Sequence, residues 1–350
     1  MKQIVYIPVK RNNDLNRNII DNLKNTKFIY SKTFNDFDRI FYKIKVNKIL
    51  CDINKKIELE NIDLIHAYFL FSMGGIAQKI MRERGINYVV NIQNTDVNIF
   101  FKYGFFLRKK GIEIMKGARK IIFISPEYKK YVINRYIPYK LRDYINQKSV
   151  IIPMGIHPFW LQNKYINRPK FIIKKKINLI YVGEFTKNKN VHISIKVARQ
   201  LKEMGYKVNF TIVGGGGNNE SKIKRLAKAN KDIIEIHDRI EERGKLLEVY
   251  RKSDIFIMPS RYETFGLVYG EAMSQGLPII YSKGQGIDGY FKDGTVGYSV
   301  NPKDINGIVK KIEMIIYNYN EISNNCLDLV ERFSWEKIAQ TYHKIYISSL

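Results

Sequence analysis

Short apolar runs alternate with longer amphipathic stretches along the whole chain. The runs predict strands over residues 4–8, 64–66, 88–92, 120–125 and 149–153, then a second series over 178–183, 207–214, 233–237, 255–259, 278–282 and 296–300. Apolar positions recurring every three or four residues predict helices over 75–84, 191–204, 221–229, 245–252 and 267–275. A further amphipathic helix is expected over 334–347, with Trp335, Ile338, Tyr342 and Ile345 on one side. Strand–helix alternation with runs of Val and Ile implies parallel sheets covered on both faces, and the alternation occurs twice. The polar, basic stretch 159–176, which holds Pro169 and lacks a period, separates the two series. The expected organisation is an N-terminal domain over 1–165, a linker over 166–176 and a C-terminal domain over 177–332. A terminal helix over 333–350 is expected to pack back on the first domain. No repeat of 20–50 residues is visible. Paired domains of this class place their ligand between them, at the carboxyl ends of the strands.

Composition agrees with this picture and narrows it. A chain of 350 residues fits about two domains, and 45% hydrophobic with 13% aromatic residues is ample for two cores. Cys51 and Cys326 are too few for a disulfide scaffold or a four-cysteine zinc site and fit a reducing compartment. No run of about 18 apolar residues occurs, so no spanning helix is expected. The first apolar run is too short for a signal peptide and reads as a core strand. The expected location is the cytoplasm. The net charge is +27, and its excess is uneven: residues 1–168 hold 31 basic and 13 acidic side chains, the remainder 29 and 20. A basic surface attracts nucleic acid, anionic lipid or phosphorylated substrates. Part of the excess fits the joint richness in Lys, Asn and Ile of an AT-rich coding sequence. No nucleic-acid-binding motif accompanies the charge, so no nucleic-acid partner is expected.

The chemistry concentrates in Pro259-Ser260-Arg261-Tyr262-Glu263-Thr264-Phe265-Gly266-Leu267-Val268-Tyr269-Gly270-Glu271-Ala272-Met273. A buried strand ends at Pro259, a turn follows, and a helix is expected to begin near Phe265 or Gly266. Gly266 lets backbone come close to a ligand. Free N–H groups at a helix start make an anion site suited to a diphosphate. Glu263 precedes the helix and Glu271 lies within it; a fully helical path between them rises about 12 Å. Two carboxylates at that spacing can bracket one ligand, one facing a sugar and the other a ribose diol, through paired hydrogen bonds to vicinal hydroxyls. The plainer alternative, an acidic residue favoured by the helix dipole, accounts for one Glu. It does not account for Gly266, Gly270 and Gly276 around a charged pair. Elsewhere, Gly214–Gly217 follows a strand, but Asn219 takes the third glycine place of G-x-G-x-x-G, so the dinucleotide fingerprint fails. Asp36-Phe37-Asp38 has the D-x-D form of some metal-dependent transferases, yet sits in a charged stretch and reads as chance. No zinc spacing, phosphate-binding P-loop or nucleophile elbow is present.

These residues resemble glycosyltransferase family 4, a retaining family of GT-B architecture with two Rossmann-like domains whose parallel sheets face across a cleft. Its E-x7-E motif is similar to Glu263 through Pro278. Gly183 to Lys189 resembles its donor loop, the run from Thr211 to Ala227 its glycine turn and following helix, and Asp293-Gly294 with Gly297 a later segment. The resemblance implies that Lys189 pairs with the donor diphosphate. It implies that Gly183, Thr264 and the backbone at Phe265, Gly266 and Leu267 surround the donor phosphates. Glu271 is implied to bind the nucleotide ribose, Glu263 to face the transferred sugar as the catalytic carboxylate, and 237–240 to lie against the base. Glu184 stands where the family often has Arg, with Lys187 a candidate to supply the missing charge, which matters for a departing diphosphate.

The first half resembles the family less closely. His66, in Asp63-Leu64-Ile65-His66-Ala67, and Asp96, in the segment 91–98, take acceptor-side places; plainer roles are a strand-end histidine and a helix-capping aspartate. Tyr68, Gln93 and Met154 replace usual family residues, and Lys10–Asn13 replace a glycine-rich loop. Segments 94–110, 122–129 and 157–163 resemble a subset tied to bacterial surface polysaccharide assembly. The implied activity is transfer of a hexose-type sugar from a nucleotide-sugar, UDP-linked, with retention and without a metal or other cofactor. The implied acceptor is a glycan or a polyprenyl-diphosphate-linked saccharide. A cluster of aromatic and basic residues over 99–120 suits contact with an anionic membrane, which would make the protein peripheral at the inner face of the plasma membrane. A core helix with a solvated basic end is the alternative. Gln93 and Glu184 motivate a second functional reading, a non-catalytic nucleotide-sugar-binding or scaffold homologue.

Overall fold

The computed structural model describes residues 1–15, 23–39, 41–169 and 175–350. The chain divides into two compact units: residues 1–122, 133–150 and 344–350 form one, and residues 123–132 and 151–343 the other.

In the first unit, β1 (Gln3–Val9) pairs in parallel with β2 (Thr26–Lys32). The sequence pattern did not reveal β2, whose short apolar run Phe28-Ile29-Tyr30 is only half-buried. α1 (Tyr42–Lys56) buries Val46, Ile49, Leu50 and Ile53, a stripe with the spacing of one helix face. There follow β3 (Leu64–Ala67), α2 (Ser72–Arg84), β4 (Asn87–Ile92), α3 (Phe105–Gly117), β5 (Lys120–Phe123), α4 (Pro126–Tyr136), whose residues 126–132 belong to the second unit, α5 (Tyr139–Lys148) and β6 (Ser149–Ile151). The strands β3 to β6 form one sheet in that order, with β3 and β4 parallel. β4 is buried from Tyr88 to Ile92, which is why it reads as a continuous apolar run with one polar interruption, Asn91. A π-helical segment, Asp96–Phe101, joins β4 to α3.

The second unit contains α6 (Pro158–Gln162), β7 (Lys176–Val182), α7 (Val191–Glu203), β8 (Lys207–Val213), α8 (Glu220–Ala229), β9 (Ile234–His237), α9 (Arg243–Arg251) and β10 (Ile255–Ile257). It continues through α10 (Leu267–Ser274), β11 (Ile279–Ser282), β12 (Gly297–Val300), α11 (Ile305–Tyr317), α12 (Tyr319–Leu329) and α13 (Trp335–Ile347), whose residues 344–347 belong to the first unit. Six parallel strands lie in the order β12-β11-β10-β7-β8-β9. The order reverses between β7 and β10. Loops leaving those two strands therefore open a crevice at a topological switch point, where open sheets of this class take their ligands. The core beneath is rich in buried tyrosines whose hydroxyls find acceptors: Tyr181 bonds the Glu184 carbonyl at 2.8 Å and Tyr269 the Met258 carbonyl at 2.8 Å. Of the expected linker 166–176, residues 170–174 lie outside the described residues. Just before them, Tyr165 donates to the Ser274 carbonyl and Arg168 bonds the Gln275 carbonyl, fastening this stretch to the second unit.

Candidate functional site

The switch point brings the loop after β7 against the loop after β10. Arg261 N donates to the Asn188 carbonyl at 2.8 Å, the Asn188 amide donates to the Tyr262 carbonyl at 2.7 Å, and Tyr262 N donates back to Asn188 Oδ1 at 2.9 Å. Gly183 closes β7 beside Gly214 at the end of β8. A Cβ on Gly214 would fall on the Gly183 carbonyl oxygen, so the two strand ends pack backbone to backbone. Gly183 has φ 155° and Gly214 φ 151°, conformations that favour glycine.

Lys189 and Glu263 meet between these loops. Lys189 Nζ lies 2.6 Å from Glu263 Oε2, and Thr264 N donates to Glu263 Oε1 at 3.1 Å. The remaining polar atoms of Glu263 are also held: its N donates to Gln285 Oε1 at 3.2 Å, and its carbonyl accepts from Gly286 N at 2.9 Å and from the Tyr128 hydroxyl at 3.2 Å. A carboxylate only 8% exposed is thus fixed in direction by an ion pair and a backbone amide. Phe265 follows, buried against the rings of Tyr290 and Phe333. Gly266, at φ 82°, turns the chain into α10; a Cβ there would lie 2.5 Å from the Tyr269 ring. Leu267 opens the helix, as the glycine position led one to expect. Lys189, Glu263, Thr264, Phe265, Gly266 and Leu267 therefore gather at one helix start.

Glu271 stands apart from them, one turn and more into α10. Its carboxylate accepts from the Tyr250 hydroxyl at 3.2 Å. The Trp160 ring meets Tyr250 edge-on with centroids 5.5 Å apart. Burial pushes the Glu271 carboxyl up to about 7; the Tyr250 bond, the Arg243 charge and the Trp160 indole oppose the rise without cancelling it. The segment 237–240, expected on the base side, begins at His237, whose carbonyl accepts from Gly214 N at 3.0 Å. Glu184 is exposed.

Sequence reasoning missed four supporting residues. Asn190 adopts φ 60°, the one non-glycine residue at positive φ among those described. Its buried amide donates to the carbonyls of Pro259 at 3.0 Å and Pro302 at 2.8 Å, tying three strand-end loops beside Lys189. Asparagine tolerates the left-handed region, but sequence alone does not say which asparagine occupies it. Gln285 and Gly286 cradle Glu263, and a Cβ on Gly286 would lie 2.9 Å from Glu263 Cγ. The glycine pair of Lys283-Gly284-Gln285-Gly286 was the available signal. Tyr128 reaches Glu263 across 135 positions of chain, and no local pattern announces it.

In the first unit, His66 and Asp96 are both engaged. His66 Nε2 donates to Asn91 Oδ1 at 2.8 Å, and Nδ1 accepts from the Tyr346 hydroxyl at 2.6 Å. Its ring stacks on Tyr68 at 4.3 Å. Burial pulls the imidazole down to about 4, with the Asn91 bond opposing, so the ring is neutral. Asp96 accepts from the backbone N–H groups of Gln93, Leu70 and Phe71 at 2.9, 3.1 and 3.2 Å. It ties the entrance of α2 to the turn before its own helical segment. Burial lifts it to about 6 against those three donors. In the D-x-D triplet, Asp36 pairs with Lys10 and Asp38 with Lys48, each at 2.7 Å. Among the described residues no helix is long and apolar enough to cross a membrane.

Comparison with known proteins accords with this geometry. Residues 163–328 match the model of the family described as Glycosyl transferases group 1. An uncharacterized glycosyltransferase of Methanocaldococcus jannaschii is 26% identical over 323 residues, 89% of this chain and 81% of that protein. The putative colanic acid biosynthesis glycosyltransferase WcaL of Salmonella typhimurium is 23% identical over 206 residues, 57% of this chain and 48% of that protein. The crystal structure of Anabaena HepE in complex with UDP superposes with a TM-score of 0.67 at 15% identity, covering 100% of both chains. The shared architecture is GT-B: two Rossmann-like bodies built on parallel sheets.

Proposed function

We propose that this chain, a glycosyltransferase of the group 1 fold related to enzymes of surface polysaccharide synthesis, moves a hexose-type sugar from a UDP-linked donor to a glycan or lipid-linked saccharide, with retention and without a metal. The observation that carries the reading is the Lys189–Glu263 pair at the start of α10. A donor diphosphate at that helix start is attracted by the N–H groups of the first turn and by the Lys189 ammonium. As Lys189 turns to phosphate, Glu263 Oε2 is released to accept from sugar hydroxyls, while Thr264 N keeps Oε1 in place. Charge building on the departing diphosphate is then met by a cation already positioned, which is how such groups lower a barrier. Glu271 accepts the ribose hydroxyls further along the helix. The UDP bound by Anabaena HepE supports uridine as the base.

The acceptor side is assigned to the first unit, with His66 and Asp96 ordering its strand ends. A cytoplasmic protein, peripheral at the inner membrane face, suits a lipid-linked acceptor. UDP release from candidate donors, measured with and without acceptor, tests the reading. Glu263→Ala and Glu271→Ala proteins that fold and still turn over at the parent rate overturn it, and a scaffold homologue would release no UDP at all.

A further inference from the structure

We propose that the segment from Ile99 to Lys109, at the tip of α3 in the first unit, is a docking surface for an anionic lipid bilayer. The inference rests on the lipid-linked acceptor reading and names the surface that meets the membrane. Helix α3 buries Leu107, Gly111, Ile114 and Met115 and nothing from its first two positions. Phe105 is 68% and Phe106 81% exposed, with Tyr103 at 63% and Ile99 at 54% beside them. Four large apolar side chains clustered on one tip are unlike the scattered single exposures normal on a protein surface.

The exposure is built in rather than left loose. Arg108 Nε donates to the Phe101 carbonyl at 2.6 Å and its Nη2 to the Lys102 carbonyl at 3.1 Å, clasping the loop that carries Tyr103. Gly104 N bonds the Phe100 carbonyl, and a Cβ on Gly104 would lie 2.7 Å from that oxygen. Behind the tip, Phe101 and Phe100 pack on Phe71 with centroids 5.1 and 5.0 Å apart, so the aromatic tip stands on a packed aromatic base.

Charge selects the occupant. Between residues 99 and 120 there are seven basic side chains and one acid, Glu113. Arg108 lies over the Phe105 ring at 4.4 Å and Lys102 over Tyr103 at 5.1 Å, while Lys109 is exposed. Aromatic rings interleaved with cations match the boundary between acyl chains and anionic headgroups: rings enter, and ammonium groups stay at the phosphate level. The tip also adjoins the proposed acceptor side. The Asp96 carboxylate that opens its helical segment bonds Leu70 N and Phe71 N, just after exposed Tyr68 and Phe69, and Tyr68 stacks on His66.

Sedimentation of the full chain with vesicles, without nucleotide-sugar, tests this apart from transfer. Vesicles of phosphatidylglycerol and phosphatidylcholine in equal parts are compared with phosphatidylcholine alone. The parent is expected to sediment with the anionic vesicles at low salt and to be released by high salt. Phe105→Ser with Phe106→Ser is expected to weaken binding about tenfold or more. Lys102→Gln with Lys109→Gln is expected to weaken it about fivefold per cation, on anionic vesicles only. UDP release from a donor is expected to be unchanged in both double variants. A parent that stays in the supernatant at low salt, or an aromatic variant that sediments like the parent, overturns the proposal. So does a parent that is dimeric, fails to bind vesicles and becomes monomeric on loss of the two rings, since a second copy then covers the tip. Vesicle binding without UDP release under any condition would instead remove the transferase reading and leave the docking surface standing.

Discussion

Lys189 and Glu263 neutralise each other across 2.6 Å, and that pairing sets what each substitution should do. Lys189→Gln removes the cation from the diphosphate and leaves Glu263 without its partner. It is expected to lower kcat/KM for the donor by about 10²-fold, in the range seen when one preorganised charge stabiliser is lost; a change below threefold would show that the phosphate is held elsewhere. Glu271 makes a different prediction because its carboxyl is raised from 4.5 to about 7. A raised carboxyl favours the folded state below pH 4.5, and that contribution is lost as pH rises through 7. Glu271→Gln is therefore expected to melt above the parent at pH 8, converge with it near pH 5, and bind nucleotide more weakly. Parallel melting curves from pH 5 to 8 would mean that the carboxyl is ionised throughout. Asn190 separates backbone from side chain: Asn190→Gly keeps φ 60° but loses two amide bonds, each worth about 1 kcal/mol. Asn190→Ala loses those bonds and adds left-handed strain of about 1–2 kcal/mol. Urea denaturation should rank Ala below Gly below the parent.

At the level of elements, the close approach of β7 and β8 governs the donor loop. Gly214→Ala places a methyl on the Gly183 carbonyl, and the strand ends must separate. Overpacking of this kind costs about 1–3 kcal/mol or more. The variant is expected to show a lower Tm and to lose UDP affinity together, whereas an intact UDP affinity would show that the loop adjusts independently. Legibility followed burial. The strands of the second sheet lie covered on both faces, so Leu179 to Val182 and Ile255 to Ile257 read as unbroken apolar runs and were visible in sequence. The E-x7-E turn was equally legible, because a positive-φ glycine between a buried strand and a helix leaves a local signature. β2 was not legible, since a half-buried strand of seven residues, four of them lysine, threonine or serine, carries little period. Tyr128 and Tyr346 were invisible for another reason. Each acts on a residue far along the chain, and a pattern confined to a window of sequence holds no record of that.

Across the whole molecule, two features dominate: a division into two units and a charge excess concentrated before residue 169. The residues proposed to hold the donor all belong to the second unit and His66 and Asp96 to the first. UDP is accordingly expected to stabilise the protein by mass action, about 2.7 kcal/mol at a hundredfold excess over its Kd. Calorimetry should show the gain in the transition of the second unit, and a transition unmoved by UDP would argue against the site at α10. The two tryptophans of the chain add something practical. Trp160 packs edge-on against Tyr250, whose hydroxyl bonds Glu271, and the Trp335 ring covers Gly155, so both indoles report on the same half of the molecule. The emission of Trp160 should answer to the protonation and occupancy of its neighbouring carboxylate. Nature has thus left an optical gauge inside the proposed nucleotide seat, and ligand titrations can be followed by ultraviolet light without attaching a dye.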